Sequence, residues 1–590
     1  MCGIAGAIKN NISDIEQLEA GVLAMNVAQT LRGPDDEGIE VVSKNNAQTA
    51  ILAQRRLSII DLSPLGHQPM GYGEDLEITF NGEIYNFEEI KKELVEKGYS
   101  FKTKTDTEVI LAGYKEWGTE VLKKMRGMFA FALYDNKKHE LILARDRYGI
   151  KPLYYAKLEK GLVFASTVGA IKSSGLVNLT ENINAKIGFL LFGSVPLPET
   201  SYKEISAVRA GHFLRFSVEK TEEVKYYDSL APFLNKINPT KNEAVKKVRE
   251  LLDESVRLHL ISDAPLGVFL SGGVDSSVLA ILAAEQRSNP IDTLSIDFKE
   301  QRFSEKKYRE GVVRQIKSNH KEYLVGKEDF EKEKQDILNS MDEPTIDGVN
   351  TYFVSRAAKE DNLKVVLSGL GSDEIFFGYH TFKKTKIIRL IQRLPKVIKW
   401  PLRQLAGFSG SYSRLVYLYE NSGLINFYLF LRGIHSPKEI SNILKVEESL
   451  IWEYIRRLEN NLPADLKKLN SADLLSWLEV NFYMANQLLK DTDFMSMRHS
   501  IEVRVPFLDH LLVEYVSSLS VSLKFGDKPK DLLISALGVD LPTEVWDRPK
   551  MGFTFPMAEW IERKTGDFKN HWSKTWARTI LNSYDKKMAD

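Results

Sequence analysis

The chain holds one cysteine, at position 2. A single cysteine cannot form an intrachain disulfide or a thiolate metal cluster, and the ten histidines include no His-Glu-x-x-His pair for zinc. What remains for it is the chemistry of a nucleophile. Removal of Met1 would make Cys2 the first residue. Its freed α-amine, with a reference pKa of roughly 7.7–8.0, could then take the thiol proton directly or through water. A chain that kept Met1 would lack that base. Gly3 and the apolar run Ile4-Ala5-Gly6-Ala7-Ile8 read as a buried strand that holds the terminus in place.

A second chemistry lies far along the chain, in Ser271-Gly272-Gly273-Val274-Asp275-Ser276-Ser277. Two glycines let backbone N–H groups approach an anion, the serines donate, and a following helix N-terminus favours negative charge. With no G-x-x-x-x-G-K-[ST] and no G-x-G-x-x-G in the chain, the loop is neither a Walker A nor a dinucleotide fingerprint. It resembles the pyrophosphate loop of enzymes that split ATP between its α and β phosphates. A second loop, Ser368-Gly369-Leu370-Gly371-Ser372-Asp373-Glu374, follows another apolar strand. Each loop offers an aspartate, Asp275 and Asp373, and carboxylates with phosphate oxygens are how Mg²⁺ is normally held.

The elements that must position these groups change along the chain. Residues 1–210 read as β-rich, with strands at Ala50–Ala53, Leu76–Phe80, Phe129–Tyr134 and Glu140–Ala144. Residues 211–242 read as linker. From 243 the period becomes helical at Val245, Val248, Leu251, Leu252 and Val256. Strands at Leu266–Leu270, Leu294–Phe298 and Lys364–Ser368 then alternate with helices, the pattern of a doubly wound parallel sheet with ligands at its carboxyl ends. Beyond about residue 420 the chain reads as mainly helical. Lys+Arg 80 balances Asp+Glu 80, which gives no global field toward nucleic acid. No apolar stretch is long enough to span a bilayer, and the start lacks the basic n-region of a signal peptide, so the expectation is a cytoplasmic protein.

Taken together, the motifs resemble the glutamine-dependent asparagine synthetases, a class II amidotransferase joined to an ATP-using synthetase domain. The likeness rests on Met1-Cys2-Gly3-Ile4-Ala5-Gly6, Arg32-Gly33-Pro34-Asp35, Arg56-Leu57-Ser58-Ile59-Ile60-Asp61, Asn81-Gly82-Glu83-Ile84-Tyr85-Asn86 and Thr105-Asp106-Thr107-Glu108. It continues through Ala144–Tyr155, the two phosphate loops, Ser500–Asp509 and Arg548-Pro549-Lys550-Met551-Gly552-Phe553. The resemblance implies an α/β/β/α N-terminal-nucleophile sandwich over 1–210, then over 243–590 an ATP pyrophosphatase-like α/β domain with a helical C-terminal portion. It also implies a homodimer.

Roles follow from the same likeness. Cys2 would attack the glutamine side-chain amide, Asn81 and the Gly82 N–H would form the oxyanion hole, Arg56 would bind the glutamine α-carboxylate, and Glu83 and Asp106 its α-amine. Leu270, Ser271, Gly272, Gly273, Asp275, Ser276, Ile296, Ser368 and Gly369 would contact ATP, and Asp275 and Asp373 would bind Mg²⁺. Lys550 would stabilise charge at the α-phosphorus as a substrate carboxylate attacks.

Two features depart from the family. Its Ser-Gly-Glu-Gly motif carries a glutamate where this chain has Leu370, and Thr167 stands where a glutamate is usual. Either another carboxylate among Asp342, Glu343, Asp347 and Glu374 takes over, or the acceptor is not the default, aspartate, but a bulkier carboxylate such as a nucleotide-linked uronic acid. From Ile375 to Tyr419 there is no acidic residue but nine basic ones, with apolar residues interleaved on either side of Pro395. That segment reads as a helix hairpin with a solvated basic face, or as a patch for a large anionic acceptor or a membrane surface.

Overall fold

In the computed structural model, residues 2–10, 15–44, 48–217, 220–406, 410–420, 423–548, 555–561 and 572–589 are described. The N-terminal half is built on two six-stranded antiparallel sheets packed face to face. Alternation along the strand Gly3–Asn10 explains its place. Ile4 and Ile8 point between the sheets, against Leu52, Ala132 and Tyr134, while Ala5 and Ala7 face the helix Ile15–Ala28. The strand Gly127–Asp135 divides the same way, with Ala130, Ala132 and Tyr134 inward and Phe129, Phe131 and Leu133 outward. The outward set packs under the helices Phe87–Glu96 and Asp106–Trp117. Covered on both faces, the strands can be apolar throughout, and the result is the expected α/β/β/α sandwich.

The second sheet extends further than the sequence reading placed it. Residues 211–242, read as linker, include the strands His212–Phe216 and Thr221–Lys225, which complete that sheet's edge. Phe213, Leu214 and Phe216 are buried there. Two five-residue strands, the second the mostly polar Thr221–Lys225, give too weak an alternation to stand out in sequence.

The C-terminal half begins with the helix Lys241–His259, capped reciprocally by Thr240 and Glu243. A five-stranded parallel sheet follows, with Leu266–Phe269 at its centre. Asp292–Phe298 and then Asn319–Val325 lie to one side, and Val365–Leu367 and then Glu502–Arg504 to the other. The chain therefore leaves the central strand in opposite directions, and a crevice opens at the carboxyl ends of Leu266–Phe269 and Val365–Leu367. Both glycine-rich loops emerge into it. Further along, the ten residues Glu479–Leu488 form π-helical turns between two α-helices. Among the described residues no helix is long and apolar enough to cross a membrane.

Buried ion pairs join the halves. Arg32 donates to Asp493 at 2.6 and 3.0 Å, and its Nε donates to the Cys2 carbonyl at 3.2 Å. Arg126 Nε reaches Asp509 at 2.5 Å. Asp342 accepts the N–H groups of Val168 and Gly169 at 2.7 and 2.8 Å and so caps a helix of the other half. Asp493→Ala, which leaves the buried Arg32 guanidinium uncompensated, should destabilise the protein by roughly 3–5 kcal/mol. Asp493→Asn, which keeps an acceptor, should lose less. Thermal midpoints of the two variants check this, and equal midpoints would contradict it.

Candidate active sites

Cys2 heads the central strand of the first sheet, and Asn81 lies on Leu76–Ile84 of the second. The Cys2 N–H donates to Asn81 Oδ1 at 2.9 Å, so one hydrogen bond joins the two sheets at Cys2. Burial pushes the Cys2 thiol up, against the pull of the Leu57 N–H and the Arg56 guanidinium. A thiol raised in this way stays protonated near neutrality and needs a base. Asn81 Nδ2 is fully buried, without a hydrogen-bond partner among the described residues. An orphaned donor beside a buried thiol is a group that a developing oxyanion there would satisfy. Gly82, next along, pairs with Phe129, and a Cβ there would meet the Met128 carbonyl oxygen at 2.1 Å.

The other expected groups surround this point. Arg56 is braced by the carbonyls of Ile60, Asp61 and Ser63 at 3.3, 2.6 and 3.2 Å. Asp106 accepts the Ile84 N–H at 2.9 Å, and Glu83 lies 3.4 Å from Arg504 Nη2. Burial, with Glu502 adding, pushes the Glu83 carboxyl well above the usual range. Burial also pushes Asp106 up to about 6, although the Ile84 N–H opposes it. Burial acts on Glu502 too, but the chain's N-terminal charge, Arg504 and Lys151 hold it at about 2. Glu83, Asp106 and Glu502 outnumber the Arg504 guanidinium and Lys151 ammonium set against them, a balance that favours a cationic ligand.

Glu502 and Arg504 come from the far half of the chain, on the strand Glu502–Arg504. The Arg504 side chain turns to the first site. Its Nη1 donates to the carbonyls of His259 and Ile261 at 2.8 and 2.6 Å, and Nε pairs with Glu502 at 2.6 Å. The strand alternates, so Val503 faces the second site and Arg504 cannot.

That second site is a cavity of about 350 Å³ in the crevice. Leu270, Ser271, Gly273, Asp275, Ser276, Ile296, Ser368 and Gly369 line it. Gly272 sits behind them at φ 98°, with its carbonyl taken by Arg548 Nη2 at 2.9 Å. The loop is fastened internally. Ser276 Oγ accepts the Ser271 N–H at 3.1 Å, and Ser271 Oγ accepts the Gly273 N–H at 3.2 Å. Gly369 lets the loops meet, since a Cβ there would stand 2.8 Å from Asp275 Cβ.

Between the loops lies a group that sequence reading missed. Lys530 Nζ reaches Asp275 Oδ2 at 2.6 Å and Asp373 Oδ1 at 2.6 Å, and donates to Ser372 Oγ at 2.9 Å. Asp275 and Asp373 lie 98 residues apart in the chain, yet they share one cation. The lysine ammonium thus stands in for a cation at this point, and the donor set fits Mg²⁺ with phosphate oxygens. The signal available in sequence was weak: Lys530 follows Pro529 and holds a left-handed backbone at φ 61°. Lys550 lies outside the described residues.

A further cavity of about 510 Å³ adjoins the first, and Asn350, Leu370, Asp373, Tyr379 and Leu488 belong to both. Its wall includes Phe192, Tyr428, Phe482, Tyr483 and Trp572, with Arg432 as the cation. The Arg432 guanidinium lies 4.3 and 4.2 Å from the Tyr379 and Tyr483 rings, and donates to Glu479 through Nε and Nη2, each at 2.9 Å. That leaves its Nη1 without a partner among the described residues.

The sequence model described as "Asparagine synthase" matches residues 247–589, and that described as "Glutamine amidotransferase domain" matches 1–227. The chain belongs to the asparagine synthase family. It is 30% identical to asparagine synthetase [glutamine-hydrolyzing] 1 of Bacillus subtilis, over 98% of this chain and 90% of that one. It is 28% identical to asparagine synthetase [glutamine-hydrolyzing] 3 of the same organism, over 95% and 89%. It is also 28% identical to amidase chry2 of Gibberella zeae, over 90% and 84%.

Leu370, expected from the resemblance to depart from the family motif, lies in the wall common to the two cavities. Of the carboxylates considered as substitutes, two are engaged elsewhere. Asp342 caps Val168, and Glu343 accepts the Ser201 N–H at 3.1 Å. Asp347 lines the larger cavity and Glu374 the smaller, where Tyr379 Oη donates to Glu374 at 2.6 Å.

Asn81→Ala should lower glutaminase turnover by about 10²–10³ while leaving Cys2 open to alkylation by iodoacetamide. Equal turnover would deny Asn81 that part. Lys530→Met leaves Asp275 and Asp373 facing each other without a cation. Added Mg²⁺ should therefore raise the thermal midpoint of this variant more than that of the parent, and an equal shift would contradict the stand-in reading.

Proposed function

We propose that the chain is a glutamine-dependent carbon–nitrogen ligase that converts a carboxylate to its amide with ATP. The observation that carries this reading is the pair of sites, a buried nucleophile beside an orphaned amide donor and a two-loop phosphate crevice with paired aspartates. At the first site the Cys2 sulfur attacks the glutamine amide carbon, and ammonia leaves. Water then hydrolyses the thioester to glutamate. Asn81 Nδ2 meets the oxyanion, Arg56 binds the α-carboxylate, and Glu83 and Asp106 the α-amine.

At the second site a carboxylate oxygen attacks the α-phosphorus of ATP and pyrophosphate leaves. Ammonia attacks the acyl carbon of the adenylate, AMP departs, and one proton is lost. Ser271, Ser276 and the backbone of Gly273 and Gly369 hold phosphate, while Leu270 and Ile296 supply apolar contact near the nucleotide. Mg²⁺, when bound by Asp275 and Asp373, would neutralise phosphate charge. Lys550 is assigned the charge at the α-phosphorus on family resemblance alone.

Aspartate is the default acceptor. A second reading, a bulkier carboxylate such as a nucleotide-linked uronic acid, is favoured by the larger cavity and by Leu370. Its volume, about 510 Å³, is in the range of pockets that enclose drug-sized ligands, well above a four-carbon amino acid. Arg432 and the aromatic wall suit a ring-bearing anion.

Cys2→Ala should abolish glutamine use and leave amidation with added ammonium intact, because the two sites are separate. Asp275→Asn and Asp373→Asn should do the reverse, stopping pyrophosphate release and sparing glutaminase. Loss of the ammonium-driven reaction in Cys2→Ala would contradict the division. Pyrophosphate release with aspartate against a panel of sugar acids and nucleotide-linked uronates decides the acceptor. Turnover with aspartate alone supports the default, and turnover with uronates alone the second reading. No release with any carboxylate would favour a plain glutaminase.

A further inference from the structure

The basic segment is not explained by either site. It folds as two helices, Thr381–Arg393 and Lys396–Ala406, hinged at Pro395. The first is anchored by buried Phe382, Thr385 and Gln392. The second buries only Lys399, whose ammonium donates to the carbonyls of Gln392 and Leu418 at 3.0 and 2.7 Å. On a 3.6-residue period, Val397, Pro401 and Leu405 fall on the side opposite Lys399, with Ile398 and Trp400 at its two flanks. That side faces solvent. Val397 is 85% exposed, Ile398 61% and Trp400 55%. Ile387 and Leu390 of the first helix add 62% and 57%.

The helix is thus inverted, with a lysine turned to the protein and its apolar face turned to water. Contiguous apolar surface of this kind marks a contact. Charge decides with what. Residues 375–419 carry nine basic side chains and no acidic one, and Lys384, Lys386 and Arg393 form no ion pair among the described residues. A second copy packed on this face across a two-fold axis would set like charge against like. Nucleic acid would use the cations but leave the aliphatic face wet. An anionic bilayer satisfies both parts. Aliphatic side chains enter below the headgroups, Trp400 sits at their level, and the lysines meet lipid phosphates.

We infer that the helix pair 381–406 docks in the interface of membranes rich in anionic phospholipid. His380, which lines the nucleotide cavity, immediately precedes the first helix. That helix has 13 residues, so docking brings the cavity within about 20 Å of the lipid surface.

The test is flotation of the full chain with vesicles of phosphatidylcholine alone and of equal phosphatidylcholine and phosphatidylglycerol. The protein should float with the second and not the first, and less so in high salt. The triple variant Val397→Ser, Ile398→Ser, Trp400→Ser, and separately Lys384→Glu, Lys386→Glu, Arg393→Glu, should each lower binding about tenfold or more. Retained glutaminase activity shows that each variant is folded. No flotation of the parent with anionic vesicles would overturn the inference, as would undiminished binding by the apolar triple variant. So would a parent dimer that sediments as monomer once the apolar face is changed.

Discussion

The arrangement of this protein turns on one buried guanidinium. Arg504 belongs to the last strand of the parallel sheet, yet it points across the seam between the two halves. There it pairs with Glu502 beside it and Glu83 on the other half, and takes two backbone carbonyls as well. A guanidinium removed from water needs every one of those partners. Neither half is therefore chemically complete alone, since the acidic pocket next to Cys2 is balanced by a residue 502 positions further along the chain. Arg32 works in the opposite direction, reaching from the first half to Asp493 while its Nε holds the Cys2 carbonyl. Nucleophile placement and domain docking are in this way one packing problem.

The second site depends on topology. Because the sheet winds outward both ways from Leu266–Phe269, the two loops converge though nearly a hundred residues separate them. Convergence brings two aspartates together, and two carboxylates without a cation would repel. Lys530 resolves that repulsion by pairing with both. The π-helical turns Glu479–Leu488 contribute Phe482, Tyr483 and Leu488 to the wall of the adjoining aromatic cavity. A π-helical stretch carries more residues per turn than an α-helix, so side chains leave their usual faces.

Much of this was legible in the chain itself. The strands carrying Cys2, Asn81 and the phosphate loops follow from apolar alternation and glycine placement, which act over a few residues. The helix pair about Pro395 was legible too, because amphipathic spacing and a single proline are local signals. The strands within 211–242 were not, since short edge strands bury too few side chains to show an alternation against a polar background.

By itself, the sequence determined the lone cysteine ahead of an apolar strand, the two glycine-rich loops, the order of the two halves and the absence of acid from 375 to 419. Each of these depends on residue type and near spacing, which covalent geometry turns into structure directly. Only the tertiary structure decided that Arg504 serves the first site, that Asp342 and Glu343 brace the other half, that Lys530 joins Asp275 to Asp373, and that the apolar side of Lys396–Ala406 faces outward. Those outcomes are set by which side chains meet after packing, between residues up to several hundred positions apart, and no local period encodes such meetings.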